Sequence, residues 1–142
     1  MVSKIRFKNF KLFKNWQELE IKPITILIGK NNSGKTALLK LPTMIGESLK
    51  GNINEAVKLE FEGIKIGSEY SDLAYNRKIL PGDFLELEIS NSPDDSTFAE
   101  LNVKISLPKD MSKEKSELFE WEYFENNLKL FEKDNNSEFK GF

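Results

Sequence analysis

The chain has 142 residues, 39% hydrophobic and 31% charged, with a formal net charge of −2. That is the composition of one ordinary globular domain, and no apolar run approaches the roughly 20 residues of a membrane span. Zero cysteines and zero histidines exclude disulfides, thiolate metal sites and the commonest general base, and the N-terminus lacks the apolar core of a signal peptide, so a cytoplasmic protein is expected.

Ile5-Arg6-Phe7-Lys8 alternates apolar and polar residues, as a half-buried strand does. Leu19 and Ile21 resume the pattern after a loop at Lys14-Asn15-Trp16, which predicts an antiparallel pair. Pro23 opens the next run, Ile24-Thr25-Ile26-Leu27-Ile28, read as a buried strand because a missing N–H is tolerated at a strand's first position. Gly29-Lys30-Asn31-Asn32-Ser33-Gly34-Lys35-Thr36 follows and completes the Walker A pattern G-x-x-x-x-G-K-[ST]. A helix is predicted from about Lys35 through Ala37, Leu38, Leu39 and Leu41. Pro42 should kink it, or break it into a second helix over Thr43–Leu49, because the proline ring clashes with the carbonyl of Leu38. Gly51-Asn52 carries C-cap chemistry.

Beyond residue 55 the period becomes two. Val57, Leu59 and Phe61 form one alternating set, Phe84, Leu85, Leu87 and Ile89 a second, and Leu101, Val103, Ile105 and Leu107 a third. Ser68–Lys78 has no period and reads as a loop with a short helical turn, and Asn91–Ser96 is a turn-rich connector. Phe119, Trp121 and Tyr123 alternate with Glu120 and Glu122, then Leu128 and Leu130 alternate beyond Asn126-Asn127. This predicts a hairpin turning at the Asn pair, with a charged helix over about 113–133 as the competing reading. Residues 134–142 read as a frayed end.

The chemistry concentrates near the front. A glycine loop between a strand and a helix turns its backbone N–H groups inward, and the helix N-terminus adds partial positive charge, so a phosphate chain fits there. Lys35 would reach the β- and γ-phosphates and the Thr36 hydroxyl would ligate Mg²⁺, which makes ATP and Mg²⁺ the expected cofactors. Charge is distributed to match: residues 1–40 hold nine Lys/Arg against two Glu, whereas residues 41–108 hold six against twelve acids. That asymmetry favours an anionic ligand but does not by itself identify a nucleic-acid partner, which stays open.

The order of strand, Lys8-Asn9-Phe10-Lys11-Leu12-Phe13, returning strand and Walker A loop resembles the N-terminal lobe of ABC-type ATPases of the SMC/RecF class. It resembles in particular the AAA-family ATPases related to OLD nucleases and anti-phage defence proteins. Such proteins open with I-x-x-F-K-x-F and carry G-x-N-x-S-G-K-[ST] within the first forty residues. Ser71-Asp72-Leu73-Ala74-Tyr75-Asn76 is similar to a segment they place before further antiparallel strands. The resemblance implies an α/β, α+β-leaning fold: a P-loop NTPase lobe I with an antiparallel or mixed sheet around one Walker A helix. It divides residues 1–142 into a part with strands, loop and helix (1–50), a β-rich part (51–133) and the end. Gly29, Lys30, Asn31, Asn32, Ser33, Gly34, Lys35 and Thr36 become cofactor-binding, with Thr36 on the metal. Lys11 is placed near the γ-phosphate or base, an exposed strand-end lysine being its alternative. Phe7, Phe10 and Phe13 read as core.

The departures from that family are as informative. Gln17, the one glutamine, lies upstream of the loop, and there is neither a histidine nor an LSGG-like run. Glu86 and Glu88 interrupt an alternating strand, unlike a Walker B aspartate ending an apolar one. No catalytic set is complete. The resemblance therefore implies an absent C-terminal lobe or second subunit, a homodimer closed through nucleotide being one form of it, and a role in DNA repair or anti-phage defence. Apolar surface on the sheet and on the Ala37–Leu41 face of the helix should then lie exposed. The alternatives are a small P-loop GTPase or kinase, which would want N-K-x-D and D-x-x-G patterns absent here, and a non-catalytic interaction module with a vestigial loop.

Overall fold

The computed structural model describes residues 1–49, 55–108, 116–133 and 140–141. β1 (Val2–Lys8) lies inside a seven-stranded antiparallel sheet of order β2-β1-β5-β6-β7-β8-β9. Its members are β2 (Gln17–Glu20), β5 (Phe84–Asn91), β6 (Ala99–Ser106), β7 (Glu117–Glu125), β8 (Leu128–Lys133) and β9 (Lys140–Gly141). α1 (Lys35–Leu49) is the α-helix among the described residues, and β3 (Glu60–Phe61) with β4 (Ile64–Lys65) makes a separate hairpin. β5 pairs with β1, so one sheet joins the front of the chain to its β-rich part.

Alternation decides which side of the sheet is core. Ile5 sits opposite Ile89 and Phe7 opposite Leu87, and Leu85 in turn faces Ile105. These six are buried, with Leu41, Met44 and Ile45 of α1 in the same core. The intervening residues on the other face form a charged ladder across the strands. Lys8 meets Glu86 at 2.8 Å, Arg6 pairs with Glu88, and Lys104 meets Glu120 at 2.6 Å. Such exposed pairs keep the outer face solvated more than they stabilise it.

Several expectations hold. β1 and β2 are the predicted antiparallel pair. The β7–β8 hairpin turns at Asn126 and Asn127, whose φ values of 47° and 64° are what a two-residue hairpin loop requires, and the helical alternative is set aside. Ser68–Lys78 is a loop with two single 3-10 turns, Tyr70–Asp72 and Tyr75–Arg77.

Others are corrected. Residues 24–28 form no strand: Ile24, Ile26 and Ile28 are 81%, 76% and 92% exposed, and only Leu27 packs on the core. The reason is pairing, because among the described residues the backbone of Ile24, Ile26, Leu27 and Ile28 meets no neighbouring strand. Pro42 does not divide the helix, which runs unbroken from Lys35 to Leu49. Pro42 faces solvent while Leu41, Met44 and Ile45 anchor the turns on either side of it, so packing outweighs the one missing N–H. Strand character around Val57–Phe61 contracts to the two residues of β3, although Val57 and Phe61 remain buried. Within Ala37–Leu41, Leu39 is exposed as expected but Leu41 is fully buried. Lys140 and Gly141 pair with Glu132 and Phe131, so they are strand, not frayed end. Gly51-Asn52 and the rest of 134–142 lie outside the described residues.

Candidate functional site

The Walker A residues occupy the connection between the exposed stretch and α1, so each is placed by the helix start behind it. Gly34 has a φ of 90°, closed to most side chains, and its carbonyl accepts the first helical bond from Leu38 N–H at 3.0 Å. A Cβ at Gly29 would lie 2.8 Å from Ser33 Oγ, a contact that rotation of the exposed serine side chain relieves. Ser33 is, among the described residues, the only loop member whose backbone N–H has an internal partner, the Lys30 carbonyl at 3.3 Å. The remaining loop N–H groups are open, as are the first N–H groups of α1. Lys35 folds back over this loop, its ammonium donating to the carbonyls of Gly29, at 2.6 Å, and Lys30.

The loop forms one wall of an open cavity of about 1210 Å³. Asn31, Asn32, Gly34, Lys35 and Thr36 line it, whereas Gly29, Lys30 and Ser33 do not reach its lining. Lys11 lines it too, on the same side of the sheet as the loop. Its ammonium donates to the carbonyls of Ile66 and Asp72, at 2.8 and 3.0 Å, and burial pushes its pKa below the ordinary lysine value. The Asp72 carboxylate opposes that shift, and the charges of Lys40 and Arg77 add to it.

Sequence reasoning missed the far wall. Lys40, Lys65 and Arg77 bring the cationic side chains on the cavity to five, against the single carboxylate of Asp72. Lys40 reaches from α1 to the carbonyl of Lys65 and so ties the helix to β4. Asp72 accepts from the N–H groups of Ser68, at 2.7 Å, and Glu69, and pairs with Arg77 at 2.9 Å. Those contacts, the Ser68 bond foremost, hold its carboxyl below the usual aspartate value. Nothing in the local sequence marks Lys40, Lys65 or Arg77, and Asp72 stood out only as part of the Ser71–Asn76 stretch. They converge because residues 65–77 fold back over the turn at Lys11, whose N–H donates to Leu73 and whose carbonyl accepts from Asn76.

The arrangement is a ring of cations and open backbone donors around a cavity, which can hold a polyanion. Among the described residues no group of acids could hold a metal by itself. Metal binding through Thr36 would thus depend on phosphate oxygens as co-ligands, the usual way Mg²⁺ is held. No described helix is long and apolar enough to cross a membrane.

The Walker A sequence pattern thus stands directly before and at the start of a helix, although residues 24–28 ahead of it form no strand. The sequence pattern of the AAA ATPase domain matches residues 1–141, and the chain belongs to that family. No curated protein matches it.

Proposed function

We propose that this chain binds Mg-ATP as the N-terminal lobe of an SMC/RecF/OLD-like ABC ATPase, with hydrolysis completed by a second lobe or subunit. The observation that carries the reading is the Walker A loop, whose backbone donors other than that of Ser33 have no partner among the described residues, beside a cavity lined among those residues by five cationic side chains and one carboxylate. In this reading the N–H groups of Asn31, Asn32, Gly34, Lys35 and Thr36 bind the phosphate chain, the Ser33 N–H joins them on leaving the Lys30 carbonyl, and Lys35 leaves the loop carbonyls for the β- and γ-phosphates. Thr36 holds Mg²⁺, which neutralises phosphate charge when bound. Lys11, bonded to the carbonyls of Ile66 and Asp72, stands on the same cavity and adds to the field at the γ-phosphate without needing direct contact.

Turnover needs more than a cradle. Interactions that hold substrate and transition state equally do not accelerate the chemical step, and the chain has no histidine to orient water. The partner that supplies the signature and Walker B groups closes on the exposed side of the loop, and a homodimer meeting through nucleotide is one such partner. Membership of an ATPase family favours ATP hydrolysis as the activity of that assembly.

Titration of the chain with Mg-ATP by calorimetry tests the proposal. Binding should be present in the wild type and weakened at least tenfold in Lys35→Ala, with an unchanged circular dichroism spectrum. The isolated chain should turn over far below the ~1 per second of working enzymes. Equal affinity of the two proteins would reject the site, and fast turnover lost in Lys35→Ala would reject the need for a second lobe.

A further inference from the structure

Gly34 is held against an aromatic ring. A Cβ at this glycine would stand 2.7 Å from Cζ and 2.9 Å from Cε2 of Phe13. No ordinary side chain fits between the two, so the tip of the ring is in direct contact with the backbone where the loop becomes helix. Phe13 is rigidly held in turn. It packs edge-on against Phe7, ring centroids 5.4 Å apart, and Phe7 is buried in the sheet. Phe10 N–H donates to the Phe13 carbonyl at 2.9 Å and Phe13 N–H returns the bond at 2.8 Å, closing a tight turn. Lys11, inside that turn, makes two backbone and two ammonium hydrogen bonds to residues 66–76.

The turn is therefore a stiff bracket with one end in the sheet, one in the far cavity wall and its aromatic tip on Gly34. We infer that Phe13 is a positioning residue of the phosphate loop: its ring fixes the backbone of Gly34 and so the aim of the N–H groups that follow. This inference rests on the Mg-nucleotide reading of the site and adds to it a residue outside the Walker A pattern. The physical argument is preorganisation, since a loop already held in its binding conformation loses less entropy when ligand arrives. Phe10 is the internal control. It is fully buried and packs edge-on against Phe7 at 6.0 Å, but it is not among the atoms nearest a Cβ at Gly34.

Three variants separate positioning from plain packing. Phe13→Leu removes the ring tip. Phe13→Tyr keeps the ring and its buried carbon but adds an oxygen at Cζ, directed at Gly34. Phe10→Leu removes a ring of the same turn that packs on Phe7 but does not touch Gly34, leaving its backbone bonds to Phe13 in place. In the ligand-free protein, amide hydrogen exchange at Leu38, whose N–H is bonded to Gly34, is compared with exchange at Met44 on the same helix. The Leu38-to-Met44 ratio should rise at least fivefold in both Phe13 variants and stay at the wild-type value in Phe10→Leu, even if Phe10→Leu has the lower melting temperature. Mg-ADP affinity should fall about tenfold in the Phe13 variants only. An unchanged exchange ratio in Phe13→Tyr and Phe13→Leu would overturn the inference. A wild type that binds no Mg-ADP would overturn the nucleotide reading and leave the bracket to be decided by the exchange ratio.

Discussion

Asp72 shows how much one carboxylate can organise. It caps its own 3-10 turn through the N–H groups of Ser68 and Glu69, pairs with Arg77, and offers its backbone carbonyl to Lys11. Its folded pKa lies below the ordinary aspartate value, chiefly through the Ser68 bond. The sign follows: a depressed carboxyl contributes stability that is present at neutral pH and lost as pH falls through the folded value. Asp72→Asn should therefore be less stable than wild type at pH 7, and the gap should narrow as acid protonates the folded carboxyl, read from urea midpoints. A gap between the two proteins that stays constant with pH would contradict this role. Lys11 shows the limit of reading a residue from its motif. The F-K-x-F stretch marked Lys11 as a candidate, but the carbonyls that accept two of its hydrogen bonds belong to Ile66 and Asp72, far along the chain.

At the scale of elements, α1 carries the plainest test. Pro42 removes an N–H from a helix interior, a cost of about 3 kcal/mol relative to alanine in an unsupported helix. Here it faces solvent while its neighbours pack, so Pro42→Ala restores a donor to the Leu38 carbonyl without disturbing the core. It should stabilise the protein by about 1–2 kcal/mol, a rise of several degrees in Tm. An unchanged or lower melting temperature would mean that the missing N–H at Pro42 costs the packed helix nothing. The same comparison shows what the sequence could and could not convey. Period-two alternation gave β1, β5, β6 and the β7–β8 hairpin, because both members of each pair lie in adjacent stretches or carry strong patterns. It misread Ile24–Ile28, since five apolar residues state a preference for burial and strand pairing but do not provide the neighbour. It misread Pro42 for the converse reason: local propensity was overridden by tertiary packing that no local window contains.

For the whole molecule the two sides of the phosphate loop are unlike. One leads into a helix packed on a core, the other out of an extended stretch with Ile24, Ile26 and Ile28 in solvent and their backbone unpaired among the described residues. An uncharged, β-branched, unpaired stretch is a template for association. The weight-average mass in sedimentation equilibrium should exceed the chain's 16.4 kDa and grow with concentration, and Ile26→Lys should reduce it toward that of the monomer. A wild type that stays monomeric across the soluble range would show that the stretch is covered in solution.

The central claim is that one cavity, built by the Walker A loop and the turn at Lys11, is where nucleotide binds. Backbone amide shift mapping during titration with Mg-ADP addresses it directly. The account predicts the largest changes in residues 29–36, smaller ones at Lys11 and at residues 65–68 on the facing wall, and the loss of all of them in Lys35→Ala. Changes confined to the charged outer face around Arg6, Glu88 and Glu120, or saturable changes that survive Lys35→Ala, would contradict it.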